Sequence, residues 1–134
     1  MIGAAIITHG RLADCLVSVA ESISGKIENV RVVPVMHSDK TENIRVLLSK
    51  AIQEIDSGDG VLIFTDMFGG TPTNIALSLM EEGKVDIITG VNLPIILKFV
   101  SYRNDKTLSE LAALLKDYGH TSIVLAGDML KEKK

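Results

Sequence analysis

The residue best suited to chemistry in this chain is His9. It follows the apolar residues 2–7 and Thr8, and Gly10 comes directly after it. An imidazole at the end of a short apolar strand lies at the mouth of a sheet, where it can contact a ligand. A neutral imidazole has one nitrogen that donates a hydrogen bond and another that can attack an electrophile. His9 is therefore a candidate nucleophile, although a single His-Gly pair is also compatible with a structural role.

A second polar segment follows the apolar residues 60–65. It begins with Asp66 and contains Gly69, Gly70 and Thr71 before a proline. A carboxylate that accepts from one imidazole nitrogen fixes the tautomer and leaves the other nitrogen free to react. Adjacent glycines before a helix let the backbone approach an anion, and the first N–H groups of that helix point towards it. Taken alone, the aspartate could be a turn residue and the glycines an ordinary helix start.

The apolar pattern predicts the elements that position these residues. Val- and Ile-rich runs without polar alternation are separated by amphipathic stretches, which is typical of parallel strands covered by helices on both faces. Strands are predicted over 2–7, 30–35, 60–65, 85–89 and 122–126, and helices over 12–24, 43–56, 73–82, 92–100 and 107–119. Thr71 is the predicted cap of the third helix, and Gly83 its predicted end. We therefore predict a doubly wound α/β fold with a mainly parallel five-stranded sheet in the order 2-1-3-4-5, whose last strand runs antiparallel.

This strand order predicts where a site forms. In an open parallel sheet, ligands bind beyond the carboxyl ends of the strands, at the point where the strand order reverses. The reversal lies between strands 1 and 3, so we expect His9 and Asp66 to meet across one crevice. With the glycine-rich loop beside them, they predict a phosphohistidine site in which Asp66 orients the ring. The candidate phosphate-binding residues are Gly10, Gly69, Gly70 and Thr71.

Other polar and apolar residues are weaker candidates. His37 follows strand 2 at the same edge, but its polar neighbours favour a structural role. Met67 and Phe68 at a loop tip are equally consistent with partial burial and with a docking patch for a partner protein. His120 is expected on the surface at the start of strand 5, at the opposite edge. Cys15 is expected to be a buried, unreactive thiol, because it belongs to an apolar helical stripe. That stripe consists of Leu12, Cys15, Leu16, Val19, Ala20 and Ile23.

The composition of the chain argues against several classes of function. The chain has 134 residues, of which 46% are hydrophobic and 23% charged, and it is predicted to form a single domain over residues 1–134. A net charge of −3 gives no reason to expect binding to nucleic acid or to an anionic membrane. The single cysteine, the absence of a basic leader, and an apolar stretch (87–97) well short of about 20 residues indicate a cytoplasmic protein without direct membrane insertion. No metal-ligand cluster or Walker A motif is present, so we expect neither a metal nor a cofactor.

Taken in order, these residues resemble the IIA component of the mannose family of the bacterial phosphoenolpyruvate-dependent sugar phosphotransferase system. The resemblance covers essentially the whole chain and rests on residues 8–10, residues 65–72 with Asn74, and residues 90–94. It implies that the histidine accepts a phosphoryl group from the phosphocarrier HPr and passes it to a IIB component. IIB then phosphorylates a sugar that enters through the IIC/IID membrane permease.

The resemblance also assigns individual roles. His9 matches the family's phosphoacceptor, Asp66 the aspartate that bonds its other nitrogen, and Gly70 and Thr71 the segment that receives the phosphate. Many members have serine in place of Thr71, which is a mild departure since either hydroxyl can donate. The resemblance further implies a homodimer in which the final strand, here 122–126, packs across to the partner subunit.

Three other functions are compatible with parts of the pattern. The phosphotransfer subunit of a dihydroxyacetone kinase resembles the same family and would use the same histidine with a different acceptor. A response-regulator receiver would use Asp66 as phosphoacceptor, but it needs acidic residues after strand 1 and a lysine after strand 5, where residues 8–11 and 127–128 supply neither. A flavodoxin-like module would need a hydroxyl-rich loop after strand 1 and more than the 4% aromatic residues present.

Overall fold

The computed structural model describes residues 1–132 of the chain. These residues form an α/β fold with four strands and six helices. The elements are β1 (Gly3–His9), α1 (Leu12–Ser24), β2 (Val30–Val35), α2 (Thr41–Ile55), β3 (Val61–Thr65), α3 (Gly70–Leu77), β4 (Val85–Ile88), α4 (Leu93–Tyr102), α5 (Leu108–Thr121) and α6 (Ala126–Glu132). None of these helices combines the length and the apolar content that crossing a bilayer requires.

The strands form one parallel sheet in the order β2-β1-β3-β4. β1 lies in its interior and pairs along its length with both neighbours, from Ala4 opposite Val30 to His9 opposite Val35 on one side, and from Gly3 opposite Val61 on the other. Strands 1 to 4 thus lie in the predicted order, with the reversal between β1 and β3. The carboxyl ends of these two strands are therefore neighbours at one edge of the sheet.

Two apolar layers cover the sheet. Ala4 and Ile6 of β1 face α1, α4 and α5, whereas Ala5 and Ile7 face α2 and α3. Successive residues of a strand point to opposite faces, so a strand covered on both sides needs apolar residues at every position. This double coverage explains why the strands show no polar alternation in the sequence.

The fifth predicted strand is not formed within residues 1–132. Helix α5 extends to Thr121, residues 123–125 have no regular structure, and α6 begins at Ala126. Ile123, Val124 and Leu125 are between 59% and 78% exposed. Their composition favours a strand, but a strand also needs a hydrogen-bonded neighbour, and within a single copy none lies beside them. His120 consequently lies on the surface in the last turn of α5 rather than at the start of a strand.

The prediction for Cys15 is wrong, because the face of α1 that packs is rotated from the predicted stripe and shares only Leu16 and Ala20 with it. Cys15 is exposed, and so are Leu12, Val19 and Ile23. The face that contacts the sheet contains Ala13 and Ala20, both fully buried, with the partly buried Leu16 and Val17 beside them. Two apolar stripes run along this helix, and the alanine-bearing one allows the closer approach to the sheet. Periodicity alone does not distinguish between them.

Arg103 closes the end of the sheet opposite His9. Arg103 is 4% exposed, and its guanidinium donates to the carbonyl oxygens of Ile2 (2.6 and 2.9 Å), Glu28 (2.7 Å) and Asn29 (3.3 Å). It also lies over the ring of Phe99, 4.7 Å from the centroid. One side chain thereby donates to three carbonyl groups around the start of β1, of which that of Asn29 also accepts from the backbone N–H of Ala4.

We expect Arg103→Met to lower the free energy of unfolding by about 3 kcal/mol, because it leaves buried carbonyl groups without their charged donor. Urea denaturation followed by circular dichroism measures this change. The control is Arg31→Met, which removes an exposed ion pair to Glu54 and is expected to cost less than about 1 kcal/mol. Equal losses in the two variants would show that Arg103 is not a structural clamp.

Candidate functional site

The ends of β1 and β3 bring together His9 and Asp66, which are 57 positions apart in the chain. Nδ1 of His9 lies 2.8 Å from Oδ2 of Asp66, and the backbone N–H of His9 donates to the same oxygen at 3.0 Å. A carboxylate can only accept, so the neutral ring carries its proton on Nδ1 and a free lone pair on Nε2. The His9 side chain is 52% exposed and that of Asp66 only 12%. Asp66 thus holds the ring on its protein-facing side, and the exposed part of the ring is accessible to a reaction partner.

Asp66 is ionised although most of its side chain is shielded from solvent. Burial acts to raise the pKa of Asp66, but the side-chain and backbone hydrogen bonds from His9 and the attraction between the two groups act in the opposite direction. The net result is a pKa of Asp66 below its ordinary value. Its second oxygen, Oδ1, is buried and has no hydrogen-bond partner among residues 1–132. The carboxylate therefore directs its hydrogen bonding to His9 through a single oxygen.

Gly70 packs against the reactive edge of the imidazole. A Cβ atom at this position would lie 3.2 Å from Cε1 and 3.5 Å from Nε2 of His9. The φ angle of Gly70 is +83°, in the region that favours glycine. The absence of a side chain therefore permits the required backbone conformation and leaves the space beside Nε2 open.

Helix α3 begins earlier than predicted. Gly69 is its N-cap and Gly70 its first residue, whereas the sequence pattern predicted Thr71 as the cap. No side chain caps this end, so the first N–H groups, which lack acceptors within the helix, lie in the glycine pair and Thr71 beside His9. The helix ends at Leu77 instead of near Gly83, because residues 78–80 form i to i−3 bonds that tighten the last turn.

The remaining candidates lie at the same edge in different settings. The backbone N–H of Gly10 donates to the carbonyl oxygen of Val35 at 2.9 Å, which ties the turn after β1 to β2. His37 is exposed in the loop after β2. Met67 and Phe68 are 54% and 79% exposed, so the loop tip presents apolar surface next to His9 rather than burying it.

Three buried threonines surround the site, and the sequence pattern does not identify them as functional residues. Thr8 and Thr65 precede His9 and Asp66, and both are fully buried, as is Thr73 in α3. The backbone N–H of Ala13 donates to Oγ1 of Thr8 at 2.9 Å. The signal in the sequence is a hydroxyl residue next to His9 in β1 and next to Asp66 in β3, where a buried hydroxyl needs a partner.

Similarity to known proteins identifies the family. The family model described as the PTS system fructose IIA component matches residues 3–116. The chain belongs to this family. The fructose-specific EIIA component of Bacillus subtilis is similar throughout, with 31% identity over all of this chain and 92% of the relative. As a member of the family, this IIA protein is a phosphoryl carrier of the sugar phosphotransferase system.

Other relatives agree in sequence and in fold. The mannose-specific EIIAB component of Escherichia coli K12 is 29% identical over 87% of this chain, which spans only 36% of that longer protein. The crystal structure of the EIIA component from Streptococcus agalactiae superimposes with a TM-score of 0.87 at 26% identity, covering 96% of this chain and 99% of the other. The resemblance noted in the sequence is thus confirmed at the level of family and fold.

Proposed function

We propose that His9 is the residue of this IIA protein that carries the phosphoryl group, receiving it from HPr and passing it to a IIB component. The observation that carries the proposal is the 2.8 Å contact between Nδ1 of His9 and Oδ2 of Asp66. It leaves Nε2 unprotonated on an exposed ring at the point where the strand order reverses. Through IIB, the protein is coupled to the IIC/IID permease.

The chemical step follows from this arrangement. The lone pair on Nε2 attacks the phosphorus of the donor's phosphohistidine, the donor's N–P bond breaks, and its electron pair returns to the donor ring. His9 is then phosphorylated on Nε2 and still protonated on Nδ1, so the ring carries a positive charge. Asp66 stabilises that charge. The bond formed resembles the bond broken, so transfer depends on in-line positioning and on stabilisation of the phosphoryl charge.

The start of α3 supplies the anion site in this proposal. The unpaired N–H groups at Gly70 and Thr71 and the positive end of the helix dipole favour a dianionic group next to Nε2. The exposed hydroxyl of Thr71 provides a further donor. Gly69 and Gly10 shape the two loops that border this space, with φ angles of +88° and +55°.

The test is phosphoryl transfer in a reconstituted system. Labelled phosphoenolpyruvate, enzyme I and HPr are expected to place an acid-labile phosphate on this protein, and adding a IIB component is expected to remove it. If a dihydroxyacetone kinase removes the phosphate and the IIB component does not, the protein serves that kinase and not a sugar transporter. Absence of any label on the folded wild-type protein would refute the proposal.

We further propose that Met67 and Phe68 in the loop after β3, together with His37 in the loop after β2, form a docking patch for these partner proteins. Phe68 is 79% exposed and lies two positions after Asp66 in the same loop, so we expect a protein that docks on His9 to contact it. A few well-packed side chains near the centre of an interface, aromatic ones often among them, carry most of its binding energy.

We expect Phe68→Ala to raise the KM for phospho-HPr about tenfold with little change in kcat, as loss of one aromatic anchor of ~1.4 kcal/mol implies. Labelling by the small donor phosphoramidate is expected to stay unchanged, since it needs no protein docking. Ile23→Ala, an exposed apolar residue at the far end of α1, serves as the control. An unchanged KM in Phe68→Ala would exclude the patch.

Finally, we propose that residues 122–126 form the missing fifth strand across a homodimer. β4 is one of the two edge strands of the sheet, the other being β2. A groove of about 500 Å³ lies between it and α5, lined by residues that include Ile87, Ile88 and Ala112. The exposed apolar residues 123–125 of a second copy would add to this edge by main-chain hydrogen bonds.

If this is correct, the wild-type protein sediments as a dimer and Val124→Lys shifts it towards the monomer, because a charge replaces an apolar side chain in the groove. Sedimentation velocity measures the change. Val46→Lys, at an exposed position on α2, is the matched control and should remain dimeric. A monomeric wild-type protein, or equal dissociation of the two variants, would contradict the proposal.

A further inference from the structure

The loop that carries Asp66 is held by hydroxyl groups on both sides of this residue. Oγ1 of Thr65, the last residue of β3, lies 2.8 Å from Oγ1 of Thr73 in α3. Oγ1 of Thr73 also lies 2.5 Å from the carbonyl oxygen of Met67. The residues immediately before and after Asp66 are thus tied to one and the same hydroxyl group.

The chemistry of these groups determines the direction of the hydrogen bonds. A carbonyl oxygen only accepts, so the single proton of the Thr73 hydroxyl goes to Met67. The bond between the two hydroxyl groups must then be donated by Thr65. Both threonines are fully buried, so removal of the Thr73 hydroxyl leaves the buried Thr65 hydroxyl without its acceptor and the Met67 carbonyl without its donor.

The carboxylate of Asp66 depends on its backbone for its position. Within the described residues, its side-chain hydrogen bonds go only to His9, through Oδ2, and its Oδ1 has no partner. No other side chain orients it. The position of the carboxylate therefore depends on the path of the backbone between Thr65 and Met67. The Thr73 hydroxyl is bonded to both of these residues and so fixes that path.

We propose that Thr73 is a positioning residue for Asp66 and, through it, sets the tautomer of His9. A displacement of the loop by about 1 Å lengthens the bond between Nδ1 and the carboxylate beyond hydrogen-bonding range. The neutral ring can then carry its proton on Nε2, which removes the lone pair needed for attack. The kinetic consequence rests on the proposed function of His9, whereas the tautomer does not.

The chain on either side of His9 is held by bonds that do not involve Thr73 or Asp66. The backbone N–H of Ala13 donates to the buried hydroxyl of Thr8, and that of Gly10 donates to Val35. These bonds fix the chain on both sides of His9. A change at Thr73 therefore moves the carboxylate relative to the ring rather than moving both together.

The test compares Thr73→Val, which keeps the shape but lacks the hydroxyl, with Thr73→Ser, which retains it. Nitrogen-15 NMR of the neutral, unphosphorylated protein reports which ring nitrogen of His9 carries the proton. We expect Nδ1–H in the wild type and in Thr73→Ser, and a mixture with Nε2–H in Thr73→Val. Labelling by phospho-HPr is expected to slow by about 10- to 100-fold in Thr73→Val and to recover in Thr73→Ser.

A control separates positioning from stability. Ile2→Val removes one buried methyl group at the opposite end of β1 and lowers stability without reaching the site. It is expected to keep the wild-type tautomer and labelling rate. Thr65→Val provides a second variant should Thr73→Val fail to fold, and a smaller shift in the same direction is expected because the bond from Thr73 to Met67 remains.

The outcomes are distinguishable. A folded Thr73→Val protein, or Thr65→Val in its place, with the wild-type tautomer and rate would overturn the proposal. An altered tautomer in a protein that HPr does not label even as wild type would support the positioning role and refute the proposed function. Slowing in Ile2→Val equal to that in Thr73→Val would also overturn the proposal, because loss of stability would then account for the effect.

Discussion

We expect His9→Ala to abolish the labelling of this protein by phosphoenolpyruvate, enzyme I and HPr. The variant removes the nitrogen that forms the N–P bond, and no other imidazole lies beside Asp66 and Gly70 to replace it in the described structure. The loss should equal the full range of the assay, because a covalent intermediate cannot form without its nucleophile. Acid-labile radioactivity retained on the purified protein measures it.

The control for this experiment is His120→Ala. His120 is exposed in the last turn of α5 and is expected to be dispensable. The fold of His9→Ala should be intact, since His9 is half exposed at a strand end and contributes nothing to the apolar layers. Label that persists in His9→Ala would direct attention to His37, the other histidine at this edge of the sheet.

The second large effect is expected from Asp66→Asn, which we predict to slow labelling by roughly a hundredfold or more. The amide has nearly the shape of the carboxylate but lacks its charge. It can also present N–H to the ring, which would leave Nδ1 unprotonated and place the proton on Nε2. Single-turnover transfer from phospho-HPr measures the rate directly.

Asp14→Asn is the matched control, because Asp14 is an exposed aspartate in the first turn of α1, close to His9 in the chain. It removes the same charge without touching the ring, so a rate near that of the wild type is expected. If both variants slow transfer equally, a general loss of negative charge would explain the effect. Wild-type transfer in Asp66→Asn would show that the ring needs no orienting carboxylate.

The lowered pKa of Asp66 gives this contact a defined pH dependence. Because the pKa is lower in the folded than in the unfolded protein, the contact contributes to stability above the ordinary aspartate range. That contribution disappears as the pH falls through the folded value. The free energy of unfolding of Asp66→Asn should therefore fall less steeply than that of the wild type as the pH is lowered.

The meeting of His9 and Asp66 could be predicted from the sequence because two general rules combine. Apolar runs without alternation reveal buried parallel strands, and the order of such sheets places the ends of strands 1 and 3 together. Each rule is local or topological, and neither requires knowledge of side-chain packing. A local signal of another kind, a threonine followed three positions later by a glutamate, marks the start of α5, where Thr107 and Glu110 bond each other's backbone.

The predictions that were wrong concern features that depend on tertiary or quaternary packing. On α1 both stripes are apolar, and only the sheet surface selects the one that contains Ala13 and Ala20. Residues 122–126 have strand composition, but a strand requires a neighbour that a single copy does not provide. Arg103 bonds the carbonyl of Ile2, which is far away in the chain, and Thr73 bonds the carbonyl of Met67. Neither bond produces a periodic pattern that could be recognised in the sequence.

The most direct test of the central claim is the site of phosphorylation on the ring of His9. Nitrogen-15 and phosphorus-31 NMR of the phosphorylated protein distinguishes phosphate on Nε2 from phosphate on Nδ1. Because Nδ1 donates to Asp66, we predict an Nε2–P bond with the proton retained on Nδ1. Phosphate on Nδ1, or on a residue other than His9, would contradict the account.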